Sequence, residues 1–173
     1  MKKTSPYTSL QSIDFEDFFI FNDSLLGKNI QNYAFKIEDF LVENNYDLTL
    51  QNGLCFLFAR VIKSKLNKLN IKTSYHTVGR KFIIENGIPV STVIDHVILK
   101  CDNLDLYIDS DGICTQDEMI SKMSYLQGIH NSSIVKCSVK EISSKISPYK
   151  SSSIEKYMKN TNVDLIFKEF KQS

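Results

Sequence analysis

The spacing of apolar residues changes once along this chain, from a helical period in the first part to an alternating one in the second. Ile30, Tyr33, Ala34, Ile37, Phe40 and Leu41 recur at helical spacing and make one apolar face. Asn44-Asn45 is expected to end that helix, and Gly27 and Asn29 to turn the chain before it. Further upstream, Ile13, Phe15, Phe18, Phe19, Ile20 and Phe21 suggest a short aromatic helix. A loop closing at Asn52-Gly53 leads into a second helix over Leu54 to Leu69. Between Leu54 and Ile62 only Arg60 is polar, so its first half should be buried on all sides. Lys63, Lys65 and Lys68 bring its second half to the surface.

From Ile71 onward the pattern is that of strands: 71–78 and 81–84 around a turn at Gly79-Arg80, then 91–101 and 104–109 after a loop with Gly87 and Pro89. Asp111-Gly112 turns the chain, 115–123 suits a short helix, and 133–139 is a last strand. Ser151-Ser152-Ser153 caps a C-terminal helix broken near Asn160–Asn162. Together these elements predict an α+β fold in one domain over residues 1–173. A central Cys-bearing helix would pack on a three- to five-stranded, mostly antiparallel sheet, with N- and C-terminal helices beside it.

The strands 91–101 and 104–109 make the sharpest local expectation. A two-residue turn at Asp102-Asn103 pairs Cys101 with Leu104, Ile98 with Tyr107, and His96 with Asp109. Directly opposed residues have Cβ atoms about 4.5–5.5 Å apart, within reach of an imidazole–carboxylate hydrogen bond. Lys100 would meet Asp105 on the same face. Val97, Leu99 and Cys101 against Leu104, Leu106 and Ile108 fill the other face with core material, and a one-residue slip would bury charge.

Composition narrows the function classes. The chain carries 21 basic and 20 acidic residues, a net charge of +1, so no bulk attraction to nucleic acid or to an anionic membrane is expected. Only Arg60 and Arg80 are arginines, and a phosphate-gripping surface usually needs more guanidinium forks. No apolar run is long enough to span a membrane, and the Met1-Lys2-Lys3 start is not followed by a signal-peptide core. A cytoplasmic protein with reduced thiols is the expectation. Cys55, Cys101, Cys114 and Cys137 form no C-x-x-C, and His76 and His130 add no zinc spacing, so no metal or other cofactor is expected. Asp109, Asp111, Gly112 and Glu118 match part of a calcium loop. Its first position would be Tyr107, and a strand rather than a helix precedes it.

Candidate chemistry therefore rests on Cys55, His96 and Asp109. Cys55 stands in the first turn of the buried helix, where partial positive charge and free N–H groups favour thiolate. Those amides can also stabilise an oxyanion. His96 would shuttle protons, and Asp109 would fix its tautomer and support its cation. Each residue has a plainer reading: Cys55 as a small core hydrophobe, His96 as a satisfied strand histidine, Asp109 as a cap on the Ser110-Asp111-Gly112 turn. Asp95 could compete with Asp109 as orienter in a different register.

The order Cys, His, Asp resembles the papain-like/transglutaminase-like cysteine superfamily. So do the segments Asn52-Gly53-Leu54-Cys55-Phe56-Leu57-Phe58-Ala59, Asp95-His96-Val97-Ile98-Leu99 and Leu106-Tyr107-Ile108-Asp109-Ser110-Asp111-Gly112. The resemblance implies acyl-thioenzyme chemistry on an amide, peptide or thioester carbonyl, with a protein or peptide as substrate or partner. It maps the oxyanion side chain to Gln51 or Asn52. The chain departs from many members in having no Trp beside Cys55, and the lack of a preceding Arg-Gly-Gly disfavours an acetyltransferase. The alternative is a non-catalytic protein-binding module that retains the fold.

Overall fold

The computed structural model describes residues 25–83, 89–102, 104–127, 132–145 and 152–161. Within these, five helices and five strands follow one another: α1 Leu25–Glu43, α2 Cys55–Lys68, β1 Thr73–Ile83, β2 Pro89–Cys101, β3 Leu106–Asp109, β4 Gly112–Thr115, α3 Gln116–Gln127, β5 Ser132–Lys136, α4 Val139–Lys145 and α5 Ser152–Asn160. The strands form one sheet in the order β4-β3-β2-β1-β5, antiparallel throughout. The α+β architecture expected from the sequence is therefore present.

The sheet has an apolar cluster on each face. Val97, Leu99, Cys101, Ile108 and Ile113 join the buried side chains of α1, α2, α4 and α5. Val78, Ile98 and Tyr107 meet Met119 and Met123 of α3 on the other face. Every second residue of β2 thus serves a different cluster, as pleating requires. The first half of α2 is buried on all sides apart from Arg60, because α1 and α5 enclose what the sheet does not. Tyr33 and Phe58 stack at 5.8 Å, and the Tyr33 hydroxyl donates to the Met158 carbonyl at 2.7 Å, tying α1 to α2 and α5.

Several local expectations are corrected. No turn occurs at Gly27 or Asn29: α1 already runs from Leu25, and Asn29 is buried in it. Gly79-Arg80 is no turn either, because β1 continues through it. The irregularity there is a bulge: Val78 pairs with His96 and Gly79 with Ile94, leaving Asp95 as the extra residue. Arg80 donates to both Asp95 oxygens, at 3.0 and 2.8 Å, which occupies the alternative carboxylate for His96. The β2–β3 register also differs. Leu99 lies opposite Ile108 and Lys100 opposite Tyr107, two positions beyond the expected pairing. The Leu104 amide still donates to the Cys101 carbonyl at 3.2 Å, and Lys100 still meets Asp105 at 2.6 Å. The chain turns where expected, but the ladder begins later. A shift of two residues preserves which face each side chain occupies, so His96 and Asp109 remain on one face, diagonal rather than opposed.

β4 and α4 are elements the alternation did not predict. Both are short, and Val139, read as the end of a strand, begins α4 instead. Reciprocal caps explain two helix starts. Glu118 accepts from the Thr115 amide (2.9 Å) while its own amide reaches the Thr115 hydroxyl (3.3 Å), and Ser138 and Glu141 repeat the arrangement. Glu118 is thus a capping residue rather than a calcium ligand. The aromatic segment 13–21 and the loop residue Gly87 lie outside the described residues.

Candidate active site

The loop before α2 holds Cys55 in place through three ties. Thr49 and Asn52 exchange backbone hydrogen bonds at 3.1 and 3.2 Å, and the Leu54 amide returns to the Thr49 carbonyl. The Leu50 amide donates to Glu38 Oε1 of α1 at 2.7 Å, while Leu50 and Leu54 are buried. Gln51 Nε2 donates to the Ser110 hydroxyl at 2.8 Å, which binds the loop to the β3–β4 turn. Gly53 makes the final bend with φ of +93°, in the region that favours glycine. An added Cβ there would sit 2.7 Å from Leu48 Cδ2.

α2 then starts at Cys55 without a polar cap. The N-cap is Leu54, which offers no side-chain acceptor. The first-turn amides are therefore available to negative charge, and the Phe56 amide acts on the Cys55 sulfur. From the sheet side, the Val97 amide and the His96 ring act on the same sulfur. β3 pairs with β2 only at Leu99 and Lys100, so the stretch at His96 and Val97 lies past the paired segment and is open to α2.

His96 Nε2 bonds Asp109 Oδ2 at 3.2 Å, with both side chains almost wholly buried. Its other nitrogen, Nδ1, is buried and has no hydrogen-bond partner among the described residues. The remaining group that acts on the ring is the Cys55 thiol, which leaves Nδ1 as the nitrogen open to exchange a proton. Asp109 Oδ1 accepts the Asp111 amide at 2.9 Å, so the turn-capping reading of Asp109 holds alongside its bond to His96. Gly112, with φ of +113°, completes that turn.

Burial alone would keep all these groups neutral, and their neighbours outweigh it. Burial opposes thiolate at Cys55, but His96 and the Val97 and Phe56 amides hold the thiol below its ordinary value. Burial opposes imidazolium at His96, but Asp109 and Cys55 raise it to about 9. Burial opposes carboxylate at Asp109, but His96 and Lys122 hold it well below the usual range. At Cys101 and Cys114, burial with nearby carboxylates prevails, and Lys122 does not outweigh them at Cys114: both thiols are pushed up to about 12. All four cysteines are free thiols.

The structure therefore brings Cys55, His96 and Asp109 together and sets Gln51 beside them through Ser110. Asn52 is exposed, and its backbone N–H donates to the Thr49 hydroxyl at 2.9 Å. Gln51 Oε1 is buried without a partner, but it can only accept; with Nε2 already donating to Ser110, a single N–H remains that could serve an oxyanion. Among the described residues no group of three or more His, Cys, Asp or Glu could hold a metal, and no helix is long and apolar enough to cross a membrane.

Sequence reasoning missed Lys122. This residue of α3 donates to Asp109 Oδ2 and, at 2.9 Å, to Asp111 Oδ2. Met119 and Met123 on either side of it along α3 are fully buried. The helical period places Lys122 at the edge of the buried face that Met119 and Met123 mark, but a lysine there ordinarily extends to solvent, so nothing along the chain pointed to Asp109. In comparisons with known proteins, the chain matches no family model, no curated protein and no solved structure.

Proposed function

We propose that this protein is a cysteine hydrolase or acyl/amide transferase with a papain-like/transglutaminase-like arrangement, acting on an amide, peptide or thioester carbonyl. The observation that carries this reading is the buried His96–Asp109 bond through Nε2 at 3.2 Å, with Nδ1 buried and without a hydrogen-bond partner among the described residues, together with the mutual influence of the His96 ring and the Cys55 thiol on each other's ionisation. A lowered thiol beside a raised imidazole favours the thiolate–imidazolium form.

In that mechanism the Cys55 thiolate attacks the carbonyl carbon, a C–S bond forms, and the π electrons move to oxygen. First-turn amides of α2 serve the developing oxyanion, with the remaining Nε2 hydrogen of Gln51 as the side-chain candidate. As the tetrahedral species collapses, the bond to the leaving group breaks and His96 gives that group its proton. Water or an amine, deprotonated by His96, then attacks the thioester and restores the thiol pair. Asp109 stays ionised and supports the imidazolium throughout. The substrate side would be a protein or peptide, reached without metal or organic cofactor.

The rival reading is a binding module in which the same three residues form a structural network. Their burial favours it: Cys55 is 8% exposed, His96 1% and Asp109 4%. Iodoacetamide labelling of the native protein at neutral pH separates the two. The catalytic reading expects Cys55 to react faster than Cys101, Cys114 or Cys137, and to slow at least tenfold in His96→Ala. Labelling of Cys55 only after denaturation would remove the catalytic reading. Hydrolysis of p-nitrophenyl acetate, lost in Cys55→Ala, is the corresponding turnover assay.

A further inference from the structure

We infer that Lys122 is a positioning residue of this site, sharing Asp109 Oδ2 with His96 Nε2 so that the buried carboxylate is neutralised whichever protonation state the ring adopts. This rests on the catalytic reading for its purpose, though not for its measurement. Both Asp109 oxygens are engaged: Oδ1 takes the Asp111 amide, and Oδ2 takes both cationic donors. Without Lys122, a neutral His96 would leave a carboxylate buried to 2% side-chain exposure with no countercharge. The ring would then be driven to keep its proton. A catalytic imidazolium must release that proton to a leaving group, so an over-strong hold slows the step. Lys122 divides the carboxylate's attraction and leaves the ring able to give the proton up.

The groups around His96 fit this account. Cys55 from α2 and Asp109 from β3 act on the ring directly. Lys122 from α3 and Asp111 from the β3–β4 turn reach it through Asp109. Val78, opposite on β1, is apolar, and Asp95 in the bulge is bound to Arg80. Cys114 near Asp109 is held neutral by burial, and Glu118 is committed to the α3 cap.

The chain has three histidines, so the His96 ring can be followed by carbon-detected NMR titration with His76 and His130 as internal references. Lys122→Gln keeps an amide donor and removes the charge. The expected result is a rise in the proton affinity of His96 of about tenfold, with Lys122→Arg close to wild type. Asp111→Asn removes an anion instead and should shift His96 the opposite way. Lys122→Met, which also removes the charge and fits beside Met119 and Met123, carries the same expectation for His96 and decides the matter should Lys122→Gln fail to fold. A folded Lys122→Gln protein with altered melting but unchanged His96 titration would make Lys122 merely structural and overturn the inference. Cys55 inert to iodoacetamide in the wild type would instead remove the catalytic reading, while the ring titration still judges Lys122.

Discussion

Replacing Asp109 by Asn tests the centre of the network through stability alone. The side chain is 2% exposed and accepts from the Asp111 amide, His96 and Lys122. Asn keeps an acceptor for the Asp111 amide. Its NH2 group, however, then faces the ammonium of Lys122 and the ring of His96, donor against donor. Breaking a buried ion pair from one side costs about 3–5 kcal/mol. Lys122 retains Asp111, whose side chain is about half exposed, which places the expected loss at the lower end, about 3 kcal/mol. Adding Lys122→Met removes the stranded charge, so the double variant should be more stable than additivity allows by about 1–3 kcal/mol. Urea unfolding followed by circular dichroism at pH 7 gives both numbers, and the slope should stay unchanged. The pH dependence provides a signed control. Asp109 is depressed when folded, so its contribution is present above the ordinary carboxylate range and fades as pH falls through and below it. Asp109→Asn should therefore lose less stability on acidification than the wild type. A loss below 1 kcal/mol at pH 7, or strict additivity with Lys122→Met, would refute the network.

Two further outcomes are expected. In the wild type, His96 is raised from 6.5 to about 9 and its contribution is lost as pH climbs through that window, whereas the lowered Cys55 contributes stability that grows as pH rises towards its ordinary value; the two oppose each other. Cys55→Ala leaves only the His96–Asp109 pair, so urea midpoints should fall more steeply than those of the wild type above pH 6.5, at up to about 1.4 kcal/mol per pH unit until the folded His value is reached; a decline no steeper than that of the wild type would contradict the coupling. Gly53→Ala should cost about 1–2 kcal/mol in thermal melts, from its positive φ and the contact with Leu48, and an unchanged melt would mean the bend before Cys55 is not strained.

Much of the site was legible because two periodicities survive errors of detail. The strand period of two places His96 and Asp109 on one face whether the β2–β3 register is as expected or shifted by two residues. The apolar run from Leu54 to Ile62 after Asn52-Gly53 puts Cys55 at a buried helix start whatever encloses it. Local residues also determine the Thr115–Glu118 cap and the turn ending at Gly112, since each needs only neighbours along the chain.

Other features depend on contacts the chain makes with itself at long range. Gly27 and Asn29 read locally as a turn, but packing beneath α1 holds them in helix, and tertiary burial outweighs weak propensity. Gly79-Arg80 reads as a hairpin turn, yet β1 continues because β2 and β5 pair with it on both sides through that point. The choice between Asp95 and Asp109 was made by a bulge and by Arg80, fifteen residues from its partner. Lys122 reaches Asp109 only because α3 folds back under the sheet, where a buried carboxylate requires a countercharge that alternation along a strand cannot reveal. Local patterns determine which face a side chain takes, and the assembled structure determines which charges meet there. Pleat and helix pitch act over a few residues, whereas desolvation acts on whatever groups the fold encloses together.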